Sequence, residues 1–176
     1  MTEHKVAHTR VYEGVIVNVD LDQVKLPNDR LAKREIVNHP GGVAVLPLND
    51  DGTVTVVRQY RYAFASVLTE IPAGKLDAGE EPRTGALREL NEEIGAQVGE
   101  LIDLGCVYPS PGFCQEVLHL YLARDLTYGA SCPDEDEFLE VVRIPFEQLL
   151  EQVMAGEIKD AKTVAAALKT KVFLER

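Results

Sequence analysis

Acids crowd the stretch GKLDAGEEPRTGALRELNEEIGA, Gly74 to Ala96, which carries Asp77, Glu80, Glu81, Glu89, Glu92 and Glu93. On a helix Glu89 and Glu93 stand four residues apart and share a face, with Glu92 beside them. Left alone, such a pair repels by about 0.2–0.5 kcal/mol. A hard divalent cation reverses that sign. Mg2+ or Mn2+ binds carboxylate oxygens and keeps waters or substrate phosphate oxygens in its remaining positions. Arg88 can brace Glu92 at i+4 and so orient the cluster. Glutamate-rich helix faces are most often simply solvated, so composition by itself leaves both readings open.

Other residues could add to this chemistry. A second acidic group, Asp134, Glu135, Asp136 and Glu137, falls in a loop-like stretch without the D-x-D-x-D-G alternation of a calcium loop. Arg61, in RQYRY, is a cation suited to an anionic group, and Glu70, in TEIPAG, is a polar partner on that side. The other reading is that Arg58 and Arg61 cap a sheet edge by pairing with acids. His39, His119 and the two N-terminal histidines show no metal-ligand spacing. With no tryptophan in the chain, any aromatic stacking on a ligand falls to a residue such as Tyr12 or Phe113, or to one near the N-terminal strands.

Positioning these groups requires strands followed by a helix. VYEGVIVNVDLDQVKL alternates apolar and polar residues and breaks at PNDR, which is strand, turn and strand chemistry. NDDG predicts a hairpin turn between strands Val43–Leu48 and Thr53–Gln59. From Pro82 the period changes: Leu87, Leu90 and Ile94 form a helical stripe, which predicts a core-facing side opposite Glu89 and Glu93. Pro82 suits the first turn and Gly95 the position just past the end, while Glu80 and Glu81 suit the positive N-terminal pole. Gly85 inside that helix costs about 1 kcal/mol against Ala and marks a close-packing point. EVLHLYLA and FLEVVRIP read as further strands. FEQLLEQVMAGE and DAKTVAAALKTKVFLER read as helices, the second capped by Asp160 or Thr163.

The totals bound the class. At 176 residues, with 45% hydrophobic and 27% charged residues, the chain suits one α+β domain with a sizeable core. A net charge of −11 argues against a phosphate-backbone binder. It does not argue against small anionic substrates, because a bound cation inverts the local field. Cys106, Cys114 and Cys132 form no C-x-x-C pair and read as free thiols in a reducing cytoplasm. No apolar run suggests a signal peptide or membrane span.

The spacing of the acids is more specific than their number. Gly74, Glu80, Arg88-Glu89-Leu90, Glu92-Glu93 and Gly95 resemble the signature of the Nudix hydrolases at every fixed position. Ala96 departs from it, standing where a larger aliphatic residue is preferred. REIVNHPGGVAVLPL, VVRQYRYAF, LTEIPAGKLDAGEEP, YPSPGF, DEDEFLEV and GEIKDAKT extend the likeness to the ADP-ribose pyrophosphatase branch over roughly residues 10 to 170.

That resemblance implies a mixed β-sheet sandwiched between helices. It divides the chain into an N-terminal antiparallel strand segment, residues 1–40, and a Nudix hydrolase domain, residues 41–176. It implies Mg2+ (or Mn2+) held by Glu89, Glu93 and the backbone carbonyl of Ala73, with Glu92 assisting. It places Glu137, Glu92 and Arg88 at catalytic positions, Glu137 as the base; Asp134, Glu135 or Asp136 could take that role in another loop register. Pro111, in SPGF, matches the proline downstream of the signature and joins Arg61 and Glu70 as substrate-binding residues. The implied reaction is hydrolysis of ADP-ribose to AMP and ribose 5-phosphate. The alternatives are a pyrophosphatase for a UDP- or GDP-hexose and a non-catalytic ADP-ribose sensor. The implied partners are a small-molecule nucleoside diphosphate sugar and a second copy of the chain, in a cytoplasmic homodimer whose N-terminal strands reach the partner's substrate site. Neither nucleic acid nor membrane is expected.

Overall fold

The computed structural model describes residues 1–132 and 138–176. They form two compact units, one made of Met1–Gly41 with Tyr108–Val117, the other of Gly42–Val107 with Leu118–Arg176.

The first unit is an antiparallel meander of β1 (His4–Glu13), β2 (Asn18–Lys25) and β3 (Leu31–Asn38). The alternation that begins at Val11 is therefore shared by two strands, because the chain reverses where Gly14 N donates to Val17 O at 3.1 Å. On β2 the alternate residues Asp20, Asp22 and Val24 are buried. The acids are tolerated because β1 supplies polar partners: Lys5 lies 3.0 Å from Asp22, His8 Nδ1 lies 2.8 Å from Asp22, and Arg10 donates to Asp20. Every residue of β1 is exposed. The 108–117 segment joins β3 through Val37, whose N donates to Phe113 O at 2.7 Å and whose carbonyl accepts from Gln115 N at 2.9 Å.

The second unit begins with β4 (Gly42–Pro47), β5 (Thr53–Arg61), β6 (Ser66–Glu70) and β7 (Ala73–Lys75), and then α1 (Pro82–Ile94). It continues with β8 (Ala96–Val107), β9 (Leu118–Tyr128), β10 (Leu139–Pro145), α2 (Phe146–Met154) and α3 (Ala161–Leu174). A mixed sheet runs β7-β4-β9-β8, with β4 and β9 parallel and the outer pairs antiparallel; an antiparallel sheet runs β10-β5-β6.

β4 shows how the layers arise. Val43 and Val45 enter one core with Ala86, Leu90 and Ile94 of α1. Ala44 and Leu46, pointing the other way, enter a second core with Leu149 of α2 and Ala166 and Ala167 of α3. Period-two alternation thus sends successive side chains to helices on opposite faces. Leu46, Leu90, Leu120, Leu122 and Leu149 are fully buried, each favouring the fold by about 1.5–3 kcal/mol. The expected α+β sandwich of a mixed sheet between helices is the fold observed.

Two expectations are corrected. The NDDG turn forms, with Gly52 N donating to Asn49 O at 3.0 Å, but its flanking strands do not make a hairpin. A lone bridge, Leu48 to Val54, joins them before they part into different sheets. The reason is that β4 is apolar on both faces and takes β7 and β9 as neighbours in the centre of its own sheet. The phase of α1 also differs. Its buried residues are Gly85, Ala86, Glu89, Leu90, Glu93 and Ile94, whereas Leu87 is 38% exposed. Small Gly85 and Ala86 let the helix approach on that side, where a Cβ on Gly85 would stand 2.9 Å from Leu76. The carboxylates therefore turn inward beside Leu90 instead of lying opposite it.

The helix ends follow their expected chemistry. Pro82 opens α1 and Gly95 ends it in the left-handed region at φ 65°. Asp160 caps α3 by accepting from Thr163 N at 3.0 Å. No helix among the described residues is long and apolar enough to cross a membrane.

Candidate active site

β7 and α1 carry the acids into contact with backbone. Glu93 is 4% exposed, and its Oε2 accepts from Ala73 N at 3.2 Å. Glu89 is 8% exposed and lies directly against Gly74. The carboxylates of one helical turn and the Ala73–Gly74 backbone thus occupy one place, which is the arrangement that burial of Glu89 and Glu93 requires.

Arg88 organises the outer side. Its Nε and Nη2 form a fork on Glu80 at 2.9 Å each, and its Nη1 donates to both Glu89 Oε1 and Glu92 Oε2 at 2.9 Å. Nη2 also reaches the Lys75 carbonyl at 3.1 Å. The expected i+4 brace to Glu92 is one arm of a wider clamp. The hydrogen bonds from Arg88 hold the Glu80 carboxyl down at about 2, with the Asp77 N–H helping. Glu80 raises the Arg88 guanidinium in return. Three carboxylates share this one guanidinium, so the cluster keeps an excess of negative charge.

The donor set fits a hard cation. It consists of carboxylate and backbone oxygens, offers no sulfur or imidazole, and is partly withdrawn from water. Among the described residues no three Asp, Glu, His or Cys side chains converge as a ready cage.

A second ionic network lies at the ends of β5, β6 and α3. Arg61 forms a fork on Glu70, Nε to Oε1 at 2.7 Å and Nη2 to Oε2 at 2.8 Å. Glu70 is 2% exposed, and Lys162, itself buried, also donates to its Oε2. Burial pushes the Glu70 carboxyl up, but Arg61 and Lys162 outweigh it and hold the group below the usual carboxylate range. Glu70 in turn raises the Arg61 guanidinium, with the charges of Asp160 and Glu93 adding to the effect. Lys162 also meets Asp160 Oδ1 at 2.9 Å, and Ile71 N donates to Thr163 Oγ1 at 2.9 Å.

The structure therefore gathers Ala73, Arg88, Glu89, Glu92 and Glu93 at one site and pairs Arg61 with Glu70 in the same unit. Arg58 pairs with Glu140 at 3.4 Å. Pro111 belongs to the other unit. Glu137 and its alternatives Asp134, Glu135 and Asp136 lie outside the described residues. Sequence reasoning missed Lys162. The available signal was a lysine in the first turn of a helix, where the backbone dipole disfavours a cation unless carboxylates meet it.

Comparison with known proteins accords with this geometry. The NUDIX domain family model matches residues 38–167, and the chain belongs to the Nudix family. It is 42% identical over 168 residues to the ADP-ribose pyrophosphatase of Bacillus subtilis, covering 94% of this chain and 91% of that one. It is 40% identical to a protein of Bacillus methanolicus named methanol dehydrogenase activator, covering 93% and 90%. A crystal structure described as an ADP compounds hydrolase superposes with a TM-score of 0.88 at 21% identity, covering 99% of this chain and 95% of that one. That last likeness speaks to the fold alone.

Proposed function

We propose that the protein hydrolyses the diphosphate bond of ADP-ribose to AMP and ribose 5-phosphate, with Mg2+ (or Mn2+) as its cofactor. The observation that carries this reading is the inward-turned pair Glu89 and Glu93, Glu89 held by Arg88 against Gly74 and Glu93 accepting from Ala73 N. The likeness to an ADP-ribose pyrophosphatase over nearly the whole chain supports the choice of substrate.

Glu89, Glu93 and the Ala73 carbonyl would hold the ion, with Glu92 assisting. When bound, the divalent cation supplies neutralisation of diphosphate charge and a lowered pKa for water. Arg88 keeps Glu89 and Glu92 in register so that the acids need not reorganise during turnover. Arg61 faces the substrate phosphates or terminal ribose while Glu70 fixes its direction. Glu137 orients a water or takes its proton, the water oxygen bonds to phosphorus, and the bridging P–O bond breaks. Pro111 shapes the substrate side of the loop that bears it.

The N-terminal strand segment, residues 1–40, would meet a second copy in a cytoplasmic homodimer and complete the partner's substrate site; the full exposure of β1 supports this. A product-resolved panel of ADP-ribose, UDP-hexoses and GDP-hexoses at fixed Mg2+ tests the function. AMP and ribose 5-phosphate should form fastest. Preferential release of UMP or GMP would move the protein to the other sugar nucleotides. Tight binding of ADP-ribose without turnover would make it a sensor.

A further inference from the structure

The network around Lys162 has more parts than a surface ion pair needs. Glu70 is almost completely buried and receives cations from two separate elements, Arg61 at the end of β5 and Lys162 in the first turn of α3. Asp160 holds Lys162 with Oδ1 and caps the helix with Oδ2. Thr163 ties the same turn to Ile71, the residue after Glu70, at 2.9 Å. The Glu70 carboxylate is thus fixed from both sides.

Arg61 lies at the open end of this chain. Its side chain is 41% exposed. The fork to Glu70 uses Nε and Nη2, and Nη1 makes no hydrogen bond among the described residues. Charge balance decides what Arg61 can do with that edge. With Lys162 present, Glu70 and Asp160 face two cations, while the charge of Glu93 also bears on Arg61. Without it, both acids would bear on Arg61 alone, in a partly buried setting where such effects are weakly screened. The guanidinium would then be drawn into the protein and would offer less positive charge outward.

We infer that Lys162 is a positioning residue for substrate binding: by anchoring Glu70 and balancing Asp160, it leaves the outer edge of Arg61 to the anionic diphosphate sugar. This rests on the ADP-ribose reading and adds to it a residue that never touches substrate. Because Lys162 acts through Arg61, its loss should weaken binding more than it slows chemistry.

The test is a double-mutant cycle with Lys162→Met and Arg61→Ala in the full chain. It is read by KM and kcat for ADP-ribose, and by calorimetric affinity for ADP-ribose in excess chelator, where no turnover occurs. Lys162→Met should raise KM and weaken that affinity by about tenfold while kcat stays within about threefold. Lys162→Arg should restore most of the binding. In the Arg61→Ala background, Lys162→Met should change neither quantity further. Should Lys162→Met fail to fold, Lys162→Gln, which keeps a donor of shorter reach, takes its place in the same cycle. A folded variant with unchanged KM and affinity overturns the inference, as does an equal loss with and without Arg61. If the wild type neither binds nor hydrolyses ADP-ribose, the functional reading fails instead. The cycle is then read with the sugar nucleotide that the panel selects.

Discussion

The carboxylate of Glu89 lies so close to the backbone of Gly74 that a Cβ built there would stand 1.8 Å from Glu89 Oε1. A glycine at this position is therefore a condition for the inward turn of Glu89. Gly74→Ala should displace the carboxylate, destabilise the fold by about 1–3 kcal/mol and lower kcat about a hundredfold through misplacement. Thermal melting and steady-state kinetics check this together. A variant with wild-type turnover would show that Glu89 does not work from the observed position.

Glu80 gives a pH-dependent prediction. Arg88 holds its carboxyl from an ordinary value near 4.5 down to about 2. A carboxyl depressed in the folded state stabilises the fold above its unfolded value, and that contribution fades as pH falls through the folded one. In excess chelator, the wild type should melt above Glu80→Gln by a constant margin at pH 6 and higher. The margin should shrink between about pH 4.5 and 2. A margin independent of pH across that window would mean the Arg88 fork does not depend on the Glu80 charge.

Much of this candidate site is legible in the sequence. The signature residues, the proline that opens α1 and the glycine that closes it are local features, and local chemistry decides them. The phase of α1 was not legible. Leu87 fits the apolar stripe as well as Ala86 does, and packing against the sheet favoured the small residue while turning Glu89 and Glu93 inward. β8 escaped notice because a bulge between Asp103 and Cys106, with Gly105 at φ 82°, breaks its alternation. The turn at Asn49–Gly52 was readable, but no local signal says that β4 and β5 join different sheets. Lys162 and Glu70 lie 92 residues apart in sequence, and their pairing is a product of the tertiary fold.

The exposure of β1 bears on assembly. Val6, Val11 and Tyr12 are each more than half exposed on a strand without one buried residue. Sedimentation equilibrium at micromolar concentration should give twice the chain mass of 19.4 kDa. A monomer with intact activity would contradict a substrate site shared between two copies.

Glu137 is the proposed base. Glu137→Gln should lower kcat by about two to four orders of magnitude, the usual range for general acid–base groups, with KM little changed. If raising the pH restores part of the rate, proton abstraction is its main role; no recovery points to water orientation. If Glu137→Gln is silent and Glu135→Gln or Asp136→Asn is crippled, the loop register is shifted. If all are silent, the base lies elsewhere.

The central claim is that Glu89 and Glu93 serve a divalent cation in ADP-ribose hydrolysis. A Mg2+ titration of chelator-dialysed protein, with AMP release as the readout, tests it in wild type and in Glu93→Gln. Wild-type activity should be absent at the start and rise saturably with Mg2+. Glu93→Gln should remain folded yet stay about a thousandfold slower even at the highest Mg2+, in line with the several kcal/mol that metal-ion catalysis supplies. Full wild-type turnover in excess chelator, or a Glu93→Gln variant as fast as wild type at saturating Mg2+, would contradict the account.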